Sequence, residues 1–267
     1  MDYQPVLADM VAVAREAGAL TQGYFDKFRD IEIGIKGPAD FVSDADKNSE
    51  LLIRKYLFER YPDWSFTGEE FDPVEKNSEH RWLVDPIDGT TNFINGMDYT
   101  ISIALRRGNE TVCGALFNPV NGEMFTAIKG QGAYCNGEKL SVSKRTDVGL
   151  FNIGTGLATP GLFTHEGFYA RLDALRAKVG AVRIVGSSAN SCAFVALGRL
   201  TGYFEESGIV DWAVGVLLVE EAGGVVSDWW GRGPEFYERT GCVIAANPAT
   251  HEYLIEMLKD APRKDPK

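Results

Sequence analysis

The sequence predicts an α/β fold on three observations: helical periodicity opens the chain, a strand-rich stretch fills its middle, and strands alternate with helices from about residue 146 onward. The opening helix rests on Val6, Met10, Val13, Ala14, Ala17, Leu20 and Tyr24, whose spacing predicts an amphipathic segment from about Pro5 to Phe28. Ile31, Ile33 and Ile35 alternate with polar residues, as in a strand. A loop is expected from Lys36 to Asp46, then a second helix from about Asp46 to Tyr61, capped by Ser43 or Asp44. Trp64-Ser65-Phe66 is an apolar patch before Gly68-Glu69-Glu70, and residues 71–80 read as an exposed excursion.

The central stretch follows. Arg81-Trp82-Leu83-Val84 reads as a strand entering the interior. Pro86 has no N–H to donate, so sheet pairing is expected to stop there, with Asp85 and Asp88 on either side of the break. Gly89-Thr90-Thr91 suits the start of a helix or tight turn with free N–H groups. Carboxylates at a strand end facing such a turn are the parts of a metal-assisted phosphate site, since the acids hold hard cations and the N–H groups hold phosphate oxygens. A lone pair of acids at this spacing also reads as two solvated caps. The full run from Asp85 to Phe93, D-P-I-D-G-T-T-N-F, is far more specific.

Tyr99 to Arg106, Thr111 to Phe117 and Glu123 to Ile128 then predict an antiparallel meander, punctuated by Asn118-Pro119, Asn121-Gly122 and Asn136-Gly137. Gly130 and Gly132 lack the strand–loop–helix context of a dinucleotide fingerprint. In the second half, Phe151 to Thr155 reads as a strand and His165 to Val179 as a helix. Val182 to Val185 leads into Gly186-Ser187-Ser188-Ala189 and a helix through Ala196. That junction suits both helix capping and the holding of ligand oxygens. Leu200 to Phe204 is a strand, Trp212 starts a helix to Glu221, Cys242 to Ala246 is a last strand and Thr250 to Leu258 a terminal helix. The basic tail, Lys259 to Lys267, is expected to fray.

Composition narrows the function classes. A net charge of −11 over 267 residues supplies no basic excess for nucleic acid. A phosphate site in so acidic a chain needs local positive charge, which bound metal ions provide. Cys113, Cys135, Cys192 and Cys242 are widely spaced and form no C-x-x-C, so neither a disulfide framework nor zinc is expected. The N-terminus has no signal-peptide pattern and no apolar run reaches membrane-spanning length, which gives a cytoplasmic expectation. His80, His165 and His251 are isolated, and no catalytic histidine is assigned.

The run from Asp85 to Phe93 resembles the signature of the inositol monophosphatase family of Mg²⁺-dependent, lithium-sensitive phosphatases, most like its bacterial inositol-1-monophosphatase branch. The resemblance continues at Lys36 to Asp46, at Gly68-Glu69-Glu70 and across the second half, so that it spans Lys36 to Asn247. It implies a layered αβαβα sandwich of the type shared with fructose-1,6-bisphosphatase. It also implies one domain over 1–267, with halves of about 1–145 and 146–267 and the site between them. Glu69, Asp85, Asp88, Asp211 and the backbone carbonyl of Ile87 would hold two or three Mg²⁺. Asp46, Thr90 and Glu69 would be the catalytic residues, with Thr90 oriented by Asp46 to position a water for direct in-line attack. Gly89 and Thr90 would hold the phosphate, and Gly186, Ser187 and Ser188 would line the substrate pocket. Lys36 and Glu70 would support the site.

The family usually shows W-D-x-A where this chain has Val210-Asp211-Trp212-Ala213, after a loop one residue shorter. The resemblance gives the substrate-hydroxyl contact to Glu205, and the shorter loop makes Glu206 the alternative. The implied activity is hydrolysis of a small-molecule phosphate monoester, inositol 1-phosphate first. Fructose bisphosphate, histidinol phosphate and adenosine 3′,5′-bisphosphate are alternatives, and a regulatory, protein-binding member of the family is a non-enzyme reading. Related enzymes are commonly homodimers, and neither nucleic acid nor membrane is expected as a partner.

Overall fold

The computed structural model describes residues 1–37, 40–156 and 165–258. Helix α1 (Gln4–Phe25) begins with Pro5 in its first turn, where the missing N–H costs nothing, and buries Val6, Met10, Val13, Ala14 and Ala17. It ends before the predicted limit, and a 3₁₀ turn at Phe28–Asp30 follows. The strand predicted at Ile31 to Ile35 is β1 (Ile33–Gly37), but the predicted loop at Lys36 to Asp46 instead carries β2 (Asp40–Ser43), which pairs with β1 as an antiparallel hairpin. Four residues in β2 are too few to show a period. Ser43 then caps α2 (Asp44–Arg60): its side chain accepts from Ala45 N, while Asp46 accepts from Ser43 N.

Strands β3 (Ser65–Gly68), β4 (His80–Asp88), β5 (Thr100–Arg107), β6 (Glu110–Asn118), β7 (Glu123–Ile128), β8 (Gly132–Cys135) and β9 (Glu138–Lys139) form a seven-stranded sheet among the described residues. Its neighbours follow chain order, and only β3 and β4 are parallel, so the predicted meander is present. The short helix α3 (Thr90–Phe93) links β4 to β5. In the second half, β10 (Asn152–Thr155), α4 (His165–Arg176), β11 (Ala181–Arg183), α5 (Ser188–Ala196), β12 (Gly202–Glu206) and α6 (Ile209–Glu221) alternate. Then come β13 (Val225–Ser227), α7 (Pro234–Thr240), β14 (Cys242–Ala246) and α8 (Pro248–Leu258). The second sheet has the order β11-β10-β12-β14-β13. Sequence reading missed α7 and β9, both very short. It also started α6 at Trp212, whereas the helix begins at Ile209 and carries Asp211 in its first turn. The tail from Lys259 lies outside the described residues.

Side-chain alternation along the strands stacks these parts into five layers. Trp82 and Val84 point with Ile101, Ile103 and Leu105 toward α1 and α2, where Ile53 and Leu57 meet them. Leu83, Ala104, Leu116, Phe125 and Ala127 point the opposite way, onto α5 and α6. Those two helices also cover Tyr203, Val243 and Ala245 of the second sheet. The far face of that sheet, with Ile153, Phe204 and Ile244, packs against Phe168 and Leu175 of α4 and Leu254 and Leu258 of α8. The order is helix, sheet, helix, sheet, helix, as expected. The middle helices are apolar on nearly all sides because both faces are covered, and α6 buries every residue from Trp212 to Val219.

Candidate active site

Strand β4 does not stop at Pro86. It pairs with β5 through Asp85 opposite Ser102 and resumes with Asp88 opposite Thr100, so three steps on β4 match two on β5. This is a bulge, one of the few places a sheet tolerates proline. The Pro86 carbonyl accepts from Ser49 Oγ at 3.2 Å and Ile87 N donates to Asp85 Oδ1 at 3.0 Å, which satisfies the irregular backbone. In a regular strand, residues three apart face opposite sides. The extra residue brings Asp85 and Asp88 to the same side, into one cleft of about 490 Å³.

That cleft is lined by Glu69 after β3, by Asp85 and Ile87 to Asn92, by Thr155 and Gly156 at and after the end of β10, by Ile184 and Gly186 to Ser188 before and at α5, and by Tyr203, Glu205 and Asp211. It lies where the two sheets and the middle helices meet. Gly89 takes φ +94°, and an added Cβ would approach the Gly186 carbonyl at 3.0 Å; Gly186 itself has φ +77°. Asn92 ties the two backbones, its Nδ2 donating to Val185 O at 2.8 Å and Asp98 O at 2.9 Å.

Asp88 sits at the N-terminus of α5. Its Oδ2 accepts from Thr100 Oγ1 at 3.1 Å, Ala189 N at 3.0 Å and the Ser187 hydroxyl, and its Oδ1 accepts from Ser188 N at 3.1 Å. Burial pushes its carboxyl up to about 6 against those hydrogen bonds. With three of the four donors on Oδ2, Oδ1 retains acceptor capacity. Thr90 Oγ1 lies 3.2 Å from both Asp46 Oδ1 and Ile87 O, and can donate to either. Asp46, fully buried, is held by the Ser43 hydroxyl and N–H at 2.7 Å each. Burial raises its carboxyl as well.

The acids repel one another. Burial, then the charges of Glu69, Asp88 and Asp211, push Asp85 well above the usual range. Burial, with Asp88 and Glu69, takes Asp211 up to about 7. Glu205 rises to about 8, chiefly by burial, although Ser188 Oγ donates to it at 2.6 Å. Glu206, next on the strand, points the other way, beside Gly241. Among the described residues the cleft lining contains no lysine or arginine. Such a site stores negative charge that a bound cation would neutralise. No three His, Cys, Asp or Glu side chains among the described residues are gathered closely enough to enclose an ion by themselves. An open, all-oxygen donor set of this kind fits Mg²⁺, which keeps waters and substrate phosphate in its coordination sphere.

A model of the inositol monophosphatase family matches residues 2–263. The chain belongs to the inositol monophosphatase family. It is 38% identical to an inositol-1-monophosphatase of Mesorhizobium japonicum over 263 residues, 97% of this chain and 98% of that protein. It is 35% identical to Nus factor SuhB of Escherichia coli, over 96% of each chain. The crystal structure of extragenic suppressor protein SuhB from Bartonella henselae superposes with a TM-score of 0.92 at 36% identity, covering 96% of this chain and 99% of that one. By family membership the protein is a phosphatase.

Of the residues assigned from the family resemblance, Glu69, Asp85, Ile87, Asp88, Gly89, Thr90, Gly186, Ser187, Ser188, Glu205 and Asp211 all line the one cleft. Asp46 lies behind it, reached through Thr90. Lys36 falls in β1, but its side chain is outside the described residues. Glu70 stands behind the lining, its N–H donating to Glu50 at 2.7 Å. Glu50 went unnoticed in the sequence. Its one signal there is an acid in step with Asp46, Ile53 and Leu57 on the buried side of an amphipathic helix.

Proposed function

We infer that the protein is a Mg²⁺-dependent phosphomonoesterase acting on inositol 1-phosphate. The observation that carries this reading is the gathering of Glu69, Asp85, Asp88 and Asp211 around one cleft with no basic side chain in its described lining. A phosphate entering such a cleft needs a cation there. Those four carboxylates and the Ile87 carbonyl would hold Mg²⁺, which when bound lowers the pKa of water and offsets phosphate charge. Thr90, oriented by Asp46, accepts a hydrogen bond from the attacking water on the lone pairs its own donation leaves free. The N–H groups at Gly89 and Thr90 hold phosphate oxygens as charge develops. Glu205, steadied by Ser188, accepts from a substrate hydroxyl, and Gly156 leaves room for it: an added Cβ there would overlap Glu205 Oε1. The four free cysteines suit a cytoplasmic setting, and the homodimer common among related enzymes is part of the same reading.

Phosphate release from inositol 1-phosphate, fructose 1,6-bisphosphate, histidinol phosphate and adenosine 3′,5′-bisphosphate tests it, each with Mg²⁺, with EDTA and with added lithium. Inositol 1-phosphate is expected to be preferred, only with Mg²⁺, and to be inhibited by lithium. Asp88→Asn is expected to abolish release while leaving the circular dichroism spectrum unchanged; full activity in that variant would sink the reading. A second reading is favoured by the similarity to relatives named Nus factor SuhB: a partner role in the transcription machinery. Its mark is a pull-down interaction that survives both EDTA and Asp88→Asn.

A further inference from the structure

Glu50 is a carboxylate with no exposed surface, in the middle of α2. Burying a carboxylate is costly unless its oxygens are satisfied. Here the partners come from a single neighbouring segment and the residue that grips it. Glu50 Oε2 accepts from Glu70 N at 2.7 Å, the Phe71 N–H also donates to the carboxylate, and Arg54 Nη2 reaches Oε1 at 3.2 Å. Arg54, one helical turn on, donates to Asp72 O at 3.0 Å. Its guanidinium lies 4.7 Å from the Phe66 ring centroid and 5.7 Å from that of Phe71.

The segment so gripped is Phe66 to Asp72, with Glu69 at its centre. On one side Gly68 is paired with Val84, next to Asp85. On the other, Glu70 is pinned to Glu50. Gly68 also packs directly on the Glu50 carboxyl group, where any Cβ would collide. Two fixed points therefore flank the residue that must face Asp85 and Asp211.

We propose that Glu50 and Arg54 are positioning residues, a clamp on α2 that holds the Gly68-Glu69-Glu70 turn and so aims Glu69 into the cleft. The proposal rests on the reading of Glu69 as a Mg²⁺ ligand. Groups that orient ligands from behind typically contribute ten- to hundredfold in metal affinity. The clamp works through α2, whose first turn carries Asp46, so one helix sets both the Glu69 turn and the Thr90 partner.

The test is calorimetric Mg²⁺ titration of substrate-free protein for the parent chain, Glu50→Gln and Arg54→Met, with amide hydrogen exchange over residues 66–72. Glu50→Gln keeps the shape but loses the charge that Arg54 meets. Arg54→Met removes the bridge to Asp72 from a half-buried side chain while keeping its apolar stem, and carries the test if Glu50→Gln does not fold. At least tenfold weaker Mg²⁺ binding in a folded variant, with faster exchange in that segment, is the expected result. A merely structural role would lower the melting temperature without changing the Mg²⁺ affinity of the folded protein. Affinities within twofold of the parent overturn the clamp alone. Absence of Mg²⁺ binding by the parent overturns the clamp and the metal reading together.

Discussion

One hydroxyl decides how water is presented to the phosphate. Thr90 has a single proton and two acceptors, Asp46 and the Ile87 carbonyl, so its remaining lone pairs are left for a water in the cleft. Thr90→Val is expected to lower kcat by ~10²–10⁴, the usual contribution of a positioned proton acceptor, while Thr90→Ser stays within about tenfold of the parent. Steady-state phosphate release at saturating Mg²⁺ measures both, and a fully active valine variant would remove Thr90 from the chemistry. Gly156→Ala is expected to act differently: crowding Glu205 should raise KM about tenfold with little change in kcat, the signature of lost binding common to ground and transition states. Residues in the contiguous run from Asp85 to Thr90 were legible in the sequence because one short segment carries several of them. Glu50 was not, because a buried acid on a helix shows its purpose only when the segment it grips is folded beside it.

The bulge in β4 is the element on which the cleft depends. It converts a spacing of three, which would divide Asp85 from Asp88 across the sheet, into a shared face. Deleting Pro86 should restore regular pairing, with Asp88, now two residues from Asp85, still on the shared face but the Ile87 carbonyl drawn into the ladder and away from Thr90. The expected outcome is a folded protein with weaker Mg²⁺ binding and slower phosphate release; full activity and parental affinity in the deletion would show that the bulge is dispensable. The proline rule was half right at this position. It located the interruption in the ladder, but the strand resumes because Asp85 and Ser49 satisfy the backbone groups that pairing leaves over. Strand β2 was read as loop for a simpler reason, since tertiary pairing with β1 and not local pattern makes it a strand.

At the scale of the molecule, the pooled acids link pH to stability. Asp88, Asp211 and Glu205 take folded values of about 6, 7 and 8, above those of an unfolded chain. Their native sites therefore hold protons that the unfolded chain has already released. Stability from these groups is full below about pH 4 and is lost as pH rises through 6 to 8 in metal-free protein. Mg²⁺ binding must displace the protons on Asp88 and Asp211, so the rise in Tm on adding Mg²⁺ should be larger at pH 8 than at pH 6. Thermal denaturation at both values, with and without Mg²⁺, checks this; equal shifts would contradict it. The layered architecture was legible as an order of elements. Which helices lie between the sheets was not, because α5 and α6 declare their two-sided burial only through composition.

That shared middle layer also imposes a schedule. The strands of the first sheet are all made by Lys139, yet Leu83, Leu116 and Phe125 on its inner face wait for helices that begin at Ser188. A growing chain leaving the ribosome carries this uncovered apolar face throughout the synthesis of the intervening residues, and closes it only when α6 has emerged.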